Sequence, residues 1–305
     1  MDKHYLMTGG EMDTSVAIIG GGKVGTAMGK QLAAAGYRMV GVCCRTETSA
    51  RRAASVINAE KIAVIPWEIT PLAQIVFITT PDGDIARVYG AIMEHDGFAP
   101  GTTVLHCSGA LPSTVLTAPG DSHIHKGSLH PLQSFAAADL PGNPFQGIIA
   151  AIEGDERALA VARQVGESMG ATCFTIKTEA KVLYHAAAAV ASNYLVTIID
   201  IAFSFLESAG INRKDAVTIL FPLIQGTLSN IRDIGIPQAL TGPIARGDLE
   251  TIKRHLEQIG THHPDLSPVY GRLGLQTIRL AQGKGSLSPS LAEELRRLLL
   301  TGIGS

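Results

Sequence analysis

The residues best suited to chemistry open near the start of the chain. Gly20-x-Gly22-x-x-Gly25 lies between a short apolar run and a helical pattern. In that setting Gly20 permits a tight turn, Gly22 lets backbone approach a pyrophosphate, and Gly25 lets helix and strand pack closely. The pyrophosphate would rest on free amides at the positive end of the helix, around Lys23 and Val24. The bland alternative is a structural turn that happens to be glycine-rich. Arg45-Thr46 closes the next apolar run, where an NAD site wants an acidic residue. Arg45 would pair with a 2′-phosphate and Thr46 would add a hydroxyl, which predicts NADP. Glu47 argues the other way, and Arg51 and Arg52 read as a solvated helix face. Thr80 and Pro81 end a further run, at the edge where doubly wound sheets bind ligands.

A second set of residues would serve a substrate. Ser108 follows a strand pattern in His106-Cys107-Ser108-Gly109-Ala110, which is not the G-x-S-x-G of a hydrolase elbow. Its hydroxyl would bond a substrate carboxylate or a nicotinamide amide, unless it is only a polar loop residue. His123, His125 and His130 cluster without a zinc-ligand spacing or a carboxylate partner, so no metal site is predicted and His130 alone is kept as a pocket residue. Lys181, His185, Ala188 and Ser192 share one helix face, with Asn193 beside it. A lysine there is costly unless paired or open to a cleft. In a cleft, Lys181 would protonate the alkoxide formed by hydride transfer, and Asn193 would orient the substrate. Otherwise Lys181 snorkels and Asn193 bridges helices. Arg246, in Leu240–Asp248, would grip a carboxylate, or form a surface ion pair.

Alternating elements must position these groups. Strand patterns fall at Val16–Ile19, Met39–Cys44, Ile62–Ile65, Ile75–Thr79, Thr103–His106, Ile148–Ile152 and Thr172–Ile176, with helical stretches between, notably Asp82–Met93 and Asp155–Met169. Such alternation implies an α/β fold, a doubly wound and mostly parallel sheet. Beyond Ile176 the patterns are long and helical, with breaks at Gly210, Pro222, Gly235–Pro237, Gly242–Pro243 and His263–Pro264. Asp248 reads as an N-cap, Pro289 as a first helical residue, and Ser290 with Glu293 as a capping box one step later. The expected organisation is a loose leader over 1–14, a dinucleotide-binding domain over 15–177 and an all-helical domain over 178–305.

Composition narrows the class. The 305 residues are 46% hydrophobic and 17% charged, which excludes a disordered chain. The formal net charge of −2 excludes a basic nucleic-acid binder and points to a small-molecule partner. The cysteines Cys43, Cys44, Cys107 and Cys173 have no C-x-x-C spacing, which suggests neither zinc nor redox chemistry, and Cys43, Cys44 and Cys173, in or beside apolar runs, are expected to be buried thiols. The segment from His185 to Leu206 is long enough to span a bilayer. Asp200 near its middle makes spanning costly, so the segment is read as a buried central helix or a subunit interface. No secretory signal opens the chain, and a cytoplasmic location without membrane attachment is expected.

The order GGGKVG, CRT, TTPD, HCSGA, HPLQSF, KxxYHAAAAVASN and LTGPIARGD resembles the 6-phosphogluconate dehydrogenase-like superfamily, in the branch that joins a Rossmann-like domain to a helical domain of formerly unknown function. The resemblance covers nearly all of residues 15–305. It implies NADPH-dependent reduction of a small 2-keto acid, as in ketopantoate reductases, and a homodimer built on the helical domain. In related dehydrogenases a Lys is followed by Asn one helical turn later. Here that turn presents His185, which makes His185 a rival to Lys181 as general acid. The competing readings are hydride exchange between NADP and a deazaflavin, and a non-catalytic NADP-sensing module.

Overall fold

The computed structural model describes residues 14–138 and 141–303; the expected leader lies outside them except for Thr14. The chain folds as two compact units, one ending at Ser192 and the other beginning at Asn193. The sequence pattern itself changes earlier, near residue 177.

The first unit is built on one eight-stranded sheet in the order β3-β2-β1-β4-β5-β6-β7-β8. The strands are β1 Ser15–Ile19, β2 Arg38–Cys43, β3 Ile62–Ala63, β4 Ile75–Ile78, β5 Thr103–His106, β6 His125–Pro131, β7 Ile149–Gly154 and β8 Thr172–Thr175. All neighbours pair in parallel except β6 and β7. The helices are α1 Lys23–Ala34, α2 Glu47–Ile57, α3 Asp82–Glu94, α4 Glu156–Ser168 and α5 Lys181–Ala189. The central strands β1, β4 and β5 are buried at every position, and β4 is apolar throughout, because both faces are covered. Ile18, Phe77 and Leu105 pack on one face with Met28, Leu32 and Val165. Their neighbours Ala17, Val76 and Val104 pack on the other with Ile85, Tyr89 and Ile92. Each large side chain so buried contributes about 1.5–3 kcal/mol.

Strand β6 was not expected. Its sequence HKGSLHP carries no apolar alternation, because Ser128 and His130 are satisfied by partners far along the chain. β3 is shorter than expected, since the chain turns into a 3-10 segment at Pro66–Glu68.

The second unit is helical. It comprises α6 Leu195–Ser208, α7 Arg213–Ile234, α8 Ile236–Ala239, α9 Pro243–Arg246, α10 Leu249–His262, α11 Ser267–Lys284 and α12 Pro289–Thr301. Ile252, Leu256, Ile278, Leu295 and Leu299 form its core. Asp248 caps α10 by accepting from the Thr251 amide at 3.1 Å. Two expectations are corrected. Pro222 lies inside α7 and does not break it. The cap of α12 is Ser288, which accepts from the Leu291 amide at 3.3 Å, so Ser290 and Glu293 do not form the expected box.

The apolar segment is not a buried helix. A π-helical turn, Val190–Tyr194, joins α5 to α6, and no residue of α6 is buried. Among the described residues, Thr178–Ser208 is the one helical stretch long and apolar enough to cross a membrane. Asp200 within it is paired with Arg213, which also meets Glu207 at 3.2 Å.

Candidate functional site

The glycine loop joins β1 to α1 and forms one wall of a cavity of about 780 Å³. Gly20 has φ +111°, and a Cβ there would lie 2.8 Å from the Thr79 carbonyl carbon, so only glycine is accommodated. Gly25 is a packing residue: a Cβ would meet the Gly20 carbonyl oxygen at 2.2 Å. A Cβ at Gly22 would meet nothing within 4 Å, which leaves open space above the loop. The Thr26 amide makes the bond to the Gly22 carbonyl, at 3.0 Å, and no side chain caps α1. The amides of Lys23, Val24 and Gly25 therefore lack helical acceptors and suit an anion. The Thr80 hydroxyl is buried beside the same cavity and has no hydrogen-bond partner among the described residues. An orphaned donor, an open glycine and free helix amides together fit a dinucleotide pyrophosphate.

The far end of this cavity is basic. Arg45, Thr46, Ser49 and Arg52 line it, and Pro81 borders it beyond Thr80. Thr46 also caps α2 by accepting from the Ser49 amide at 3.3 Å. Arg52, read from sequence as a solvated residue, faces the cavity. Glu47 pairs with Arg51 outside it. The acidic residue that argued for a ribose contact is thus tied to its neighbour on the helix.

A second group of side chains gathers around Gly109, in the loop after β5. A Cβ at Gly109 would lie 2.6 Å from His185 Nδ1 and 2.8 Å from His130 Nε2. Two imidazoles from different elements, β6 and α5, therefore converge on one glycine. The Tyr184 hydroxyl lies 2.9 Å from His130 Nδ1. Burial, reinforced by the charge of Lys181 and by His185, lowers the His130 pKa to about 4, so it is neutral at physiological pH.

Beneath Gly109 lies a polar network enclosed by the fold. The Lys181 side chain is 1% exposed. Its Nζ donates to the Ser108 carbonyl at 2.8 Å and to Ser128 Oγ at 2.6 Å, and lies 3.5 Å from Glu153 Oε1. Glu153 also accepts from the Ser113 amide at 2.8 Å, Ser113 Oγ at 2.7 Å, Ser128 Oγ at 2.7 Å and Thr178 Oγ1 at 3.0 Å. Burial pushes the Glu153 carboxyl up, but those hydrogen bonds and the Lys181 charge hold it below the usual carboxylate range. Burial outweighs Glu153 at Lys181 and holds its ammonium below the ordinary lysine value.

The chain matches two domain families. Residues 10–131 match a Rossmann-like domain, and residues 148–277 match a domain of unknown function, DUF2520. No curated protein matches the sequence. Among solved structures, a candidate NADP oxidoreductase of Bacteroides fragilis shares 24% identity over 88% of this chain and 98% of its own, with a TM-score of 0.73. A protein of Thermotoga maritima shares 23% identity over 94% and 98%, with a TM-score of 0.64. The NADP-bound pyrroline carboxylate reductase of Plasmodium falciparum shares 11% identity over 95% and 99%, with a TM-score of 0.56. At these identities the likeness is one of fold.

The Rossmann-like match contains Gly20, Thr80, Ser108 and His130, while the DUF2520 match contains Glu153, Lys181, Tyr184 and His185. All of them lie in the first compact unit. Ser108 is not open to a substrate: its hydroxyl donates to Asp82 at 2.8 Å and accepts from the Ala110 and Leu111 amides. Ser192 is exposed in the π-helical turn. Asn193, in the same turn, and Arg246, at the end of α9, are exposed residues of the second unit. Sequence reasoning missed Glu153, Tyr184 and Asp82. Glu153 carried a readable signal, an acidic residue interrupting the apolar run of β7. Tyr184 and Asp82 carried none beyond their neighbours.

Proposed function

We propose that this protein is an NADP-dependent oxidoreductase that reduces the carbonyl group of a small 2-keto acid. The convergence of His130 Nε2 and His185 Nδ1 on Gly109, in the unit that also carries the dinucleotide cavity, supports this reading most directly. The basic cavity end formed by Arg45 and Arg52 favours a 2′-phosphate over a bare ribose, and two of the structures of like fold are described by their NADP. NADPH, when bound, supplies the hydride.

The residues of the chain supply the rest. In this reading Tyr184 is the donor to His130 Nδ1, 2.9 Å away, which leaves the proton of the neutral imidazole on Nε2, directed toward Gly109. A neutral imidazole hydrogen-bonds a carbonyl oxygen without needing to be protonated first. His185 is exposed, so it can pass a proton to the developing alkoxide and regain one from water. The burial and the Lys181 charge that keep His130 neutral also oppose a cationic substrate such as an iminium, and they favour an oxygen that gains negative charge. Ketopantoate and pyruvate are therefore the first substrates to try.

A second copy of the chain is the proposed partner, seated on the exposed apolar surface of α6 and α7. That surface carries Val196 and Leu223, 68% and 66% exposed. The Asp200–Arg213 pair beside it suits a protein neighbour better than a lipid interior. The proposed assembly is a homodimer.

Trp67 is the one tryptophan in the chain and lines the cavity, so its fluorescence reports the cofactor. NADPH is expected to quench it at least about tenfold more tightly than NADH, and Arg45→Ala is expected to erase the difference. NADPH oxidation with ketopantoate or pyruvate is expected to fall by about 10²–10⁴-fold in His130→Ala. Tight NADPH binding with no oxidation in the presence of either acid would reject the reaction.

A further inference from the structure

We propose that Lys181 and Glu153 form a buried positioning pair that holds the Gly109 turn between the two imidazoles, and that Lys181 is not the proton donor. An ammonium has three protons to give. Those of Lys181 face the Ser108 carbonyl, Ser128 Oγ and Glu153 Oε1, so none is left for a substrate. Each acceptor comes from a different strand or its end: Ser108 follows β5, Ser128 is on β6 and Glu153 is on β7. The side chain thus ties together β6, β7 and the loop after β5 beneath Gly109.

Ser108 carries the constraint upward. Its carbonyl is held by Lys181, and its hydroxyl is held by Asp82 and by the amides of Ala110 and Leu111. Gly109 sits between these fixed points. Lys181 also opens α5, the helix that carries Tyr184 and His185, so the same ammonium anchors that helix to the sheet. The charged and titratable groups around His130 are Lys181 and His185 on α5 and Asp82 on α3, with Tyr184 at its Nδ1. Glu153 supplies the counter-charge that makes a buried ammonium tenable.

Only the turnover part of the test rests on the reductase reading. Wild type, Lys181→Arg and Lys181→Met are compared as full-length protein by NADPH oxidation with ketopantoate or pyruvate and by amide hydrogen exchange. A guanidinium donates to the same acceptors but does not release a proton. Lys181→Arg is therefore expected to keep its rate within about tenfold of wild type, whereas Lys181→Met loses about 100-fold or more in kcat. NADPH quenching of Trp67 stays within about threefold in both. In Lys181→Met the amides of Ala110 and Leu111 are expected to exchange about 100-fold faster, while those of β1 and β4 do not change. Lys181→Arg as inactive as Lys181→Met would restore the proton-donor role and overturn the proposal. So would protected Ala110 and Leu111 amides in Lys181→Met. If Lys181→Met does not fold, Lys181→Met/Glu153→Gln removes both charges and is read in the same way. A wild type that oxidises no NADPH with either acid rejects the reductase reading alone, and hydrogen exchange still decides on the pair.

Discussion

Gly109 shows how much a single residue contributes at this site. It has no side chain, and the space a methyl group would need lies against nitrogen atoms of His130 and His185. Gly109→Ala must displace at least one imidazole, and a misplacement near one ångström is enough to cost about 100-fold in rate. The expected result is a loss of that order in NADPH oxidation, with NADPH quenching of Trp67 unchanged, because the dinucleotide cavity is lined by other residues. A parallel loss of NADPH binding would mean that the loop serves the cofactor instead. Lys181 carries a related lesson. Its type and helical position suggested an acid facing a cleft, yet the fold encloses it with a carboxylate and two oxygen acceptors.

Strand β5 is the element on which pH should act. It ends in His106, fully buried, whose Nδ1 accepts from the Ser108 amide at 3.2 Å. Burial, then the Lys181 charge, lowers the His106 pKa from 6.5 to about 4. Between those values the unfolded chain binds a proton that the folded chain refuses. The stability from a neutral His106 is fully present above about pH 6.5 and is lost as pH falls toward 4. The shift corresponds to about 3 kcal/mol. Chemical denaturation at pH 7.5 and 4.5 is expected to show a loss of that order, and His106→Asn is expected to reduce it. A loss that is the same in the variant would assign it to other groups.

At the scale of the whole molecule, the unexplained feature is the uncovered apolar surface of α6 and α7. Ile198, Phe221 and Ile234 join Val196 and Leu223 in facing solvent within one compact unit. Exposed apolar surface of this extent marks an interaction site. Sedimentation velocity at micromolar concentration is expected to show a dimer, and Val196→Glu/Leu223→Glu is expected to shift it toward monomer with unchanged helical content. A wild type that remains monomeric at those concentrations would reject the second copy as occupant.

Several features were legible in the sequence because their causes are local. The glycine loop, the apolar runs of β1, β4 and β5, the Asp248 cap and the change to helical patterns after Ile176 each follow from a few consecutive residues. The Arg45-Thr46 pair in the turn after β2 was likewise readable. The tertiary structure decided everything that depends on partners far along the chain. It set Ser128 and His130 in a strand with no apolar pattern, because Glu153 and Tyr184 satisfy them. It turned Ser108 inward to Asp82 and enclosed Lys181 with Glu153. It left α6 uncovered despite its apolar sequence. Hydrophobic period and turn chemistry specify an element from its own residues, whereas a buried polar group is specified by whichever partner the fold brings within hydrogen-bonding distance.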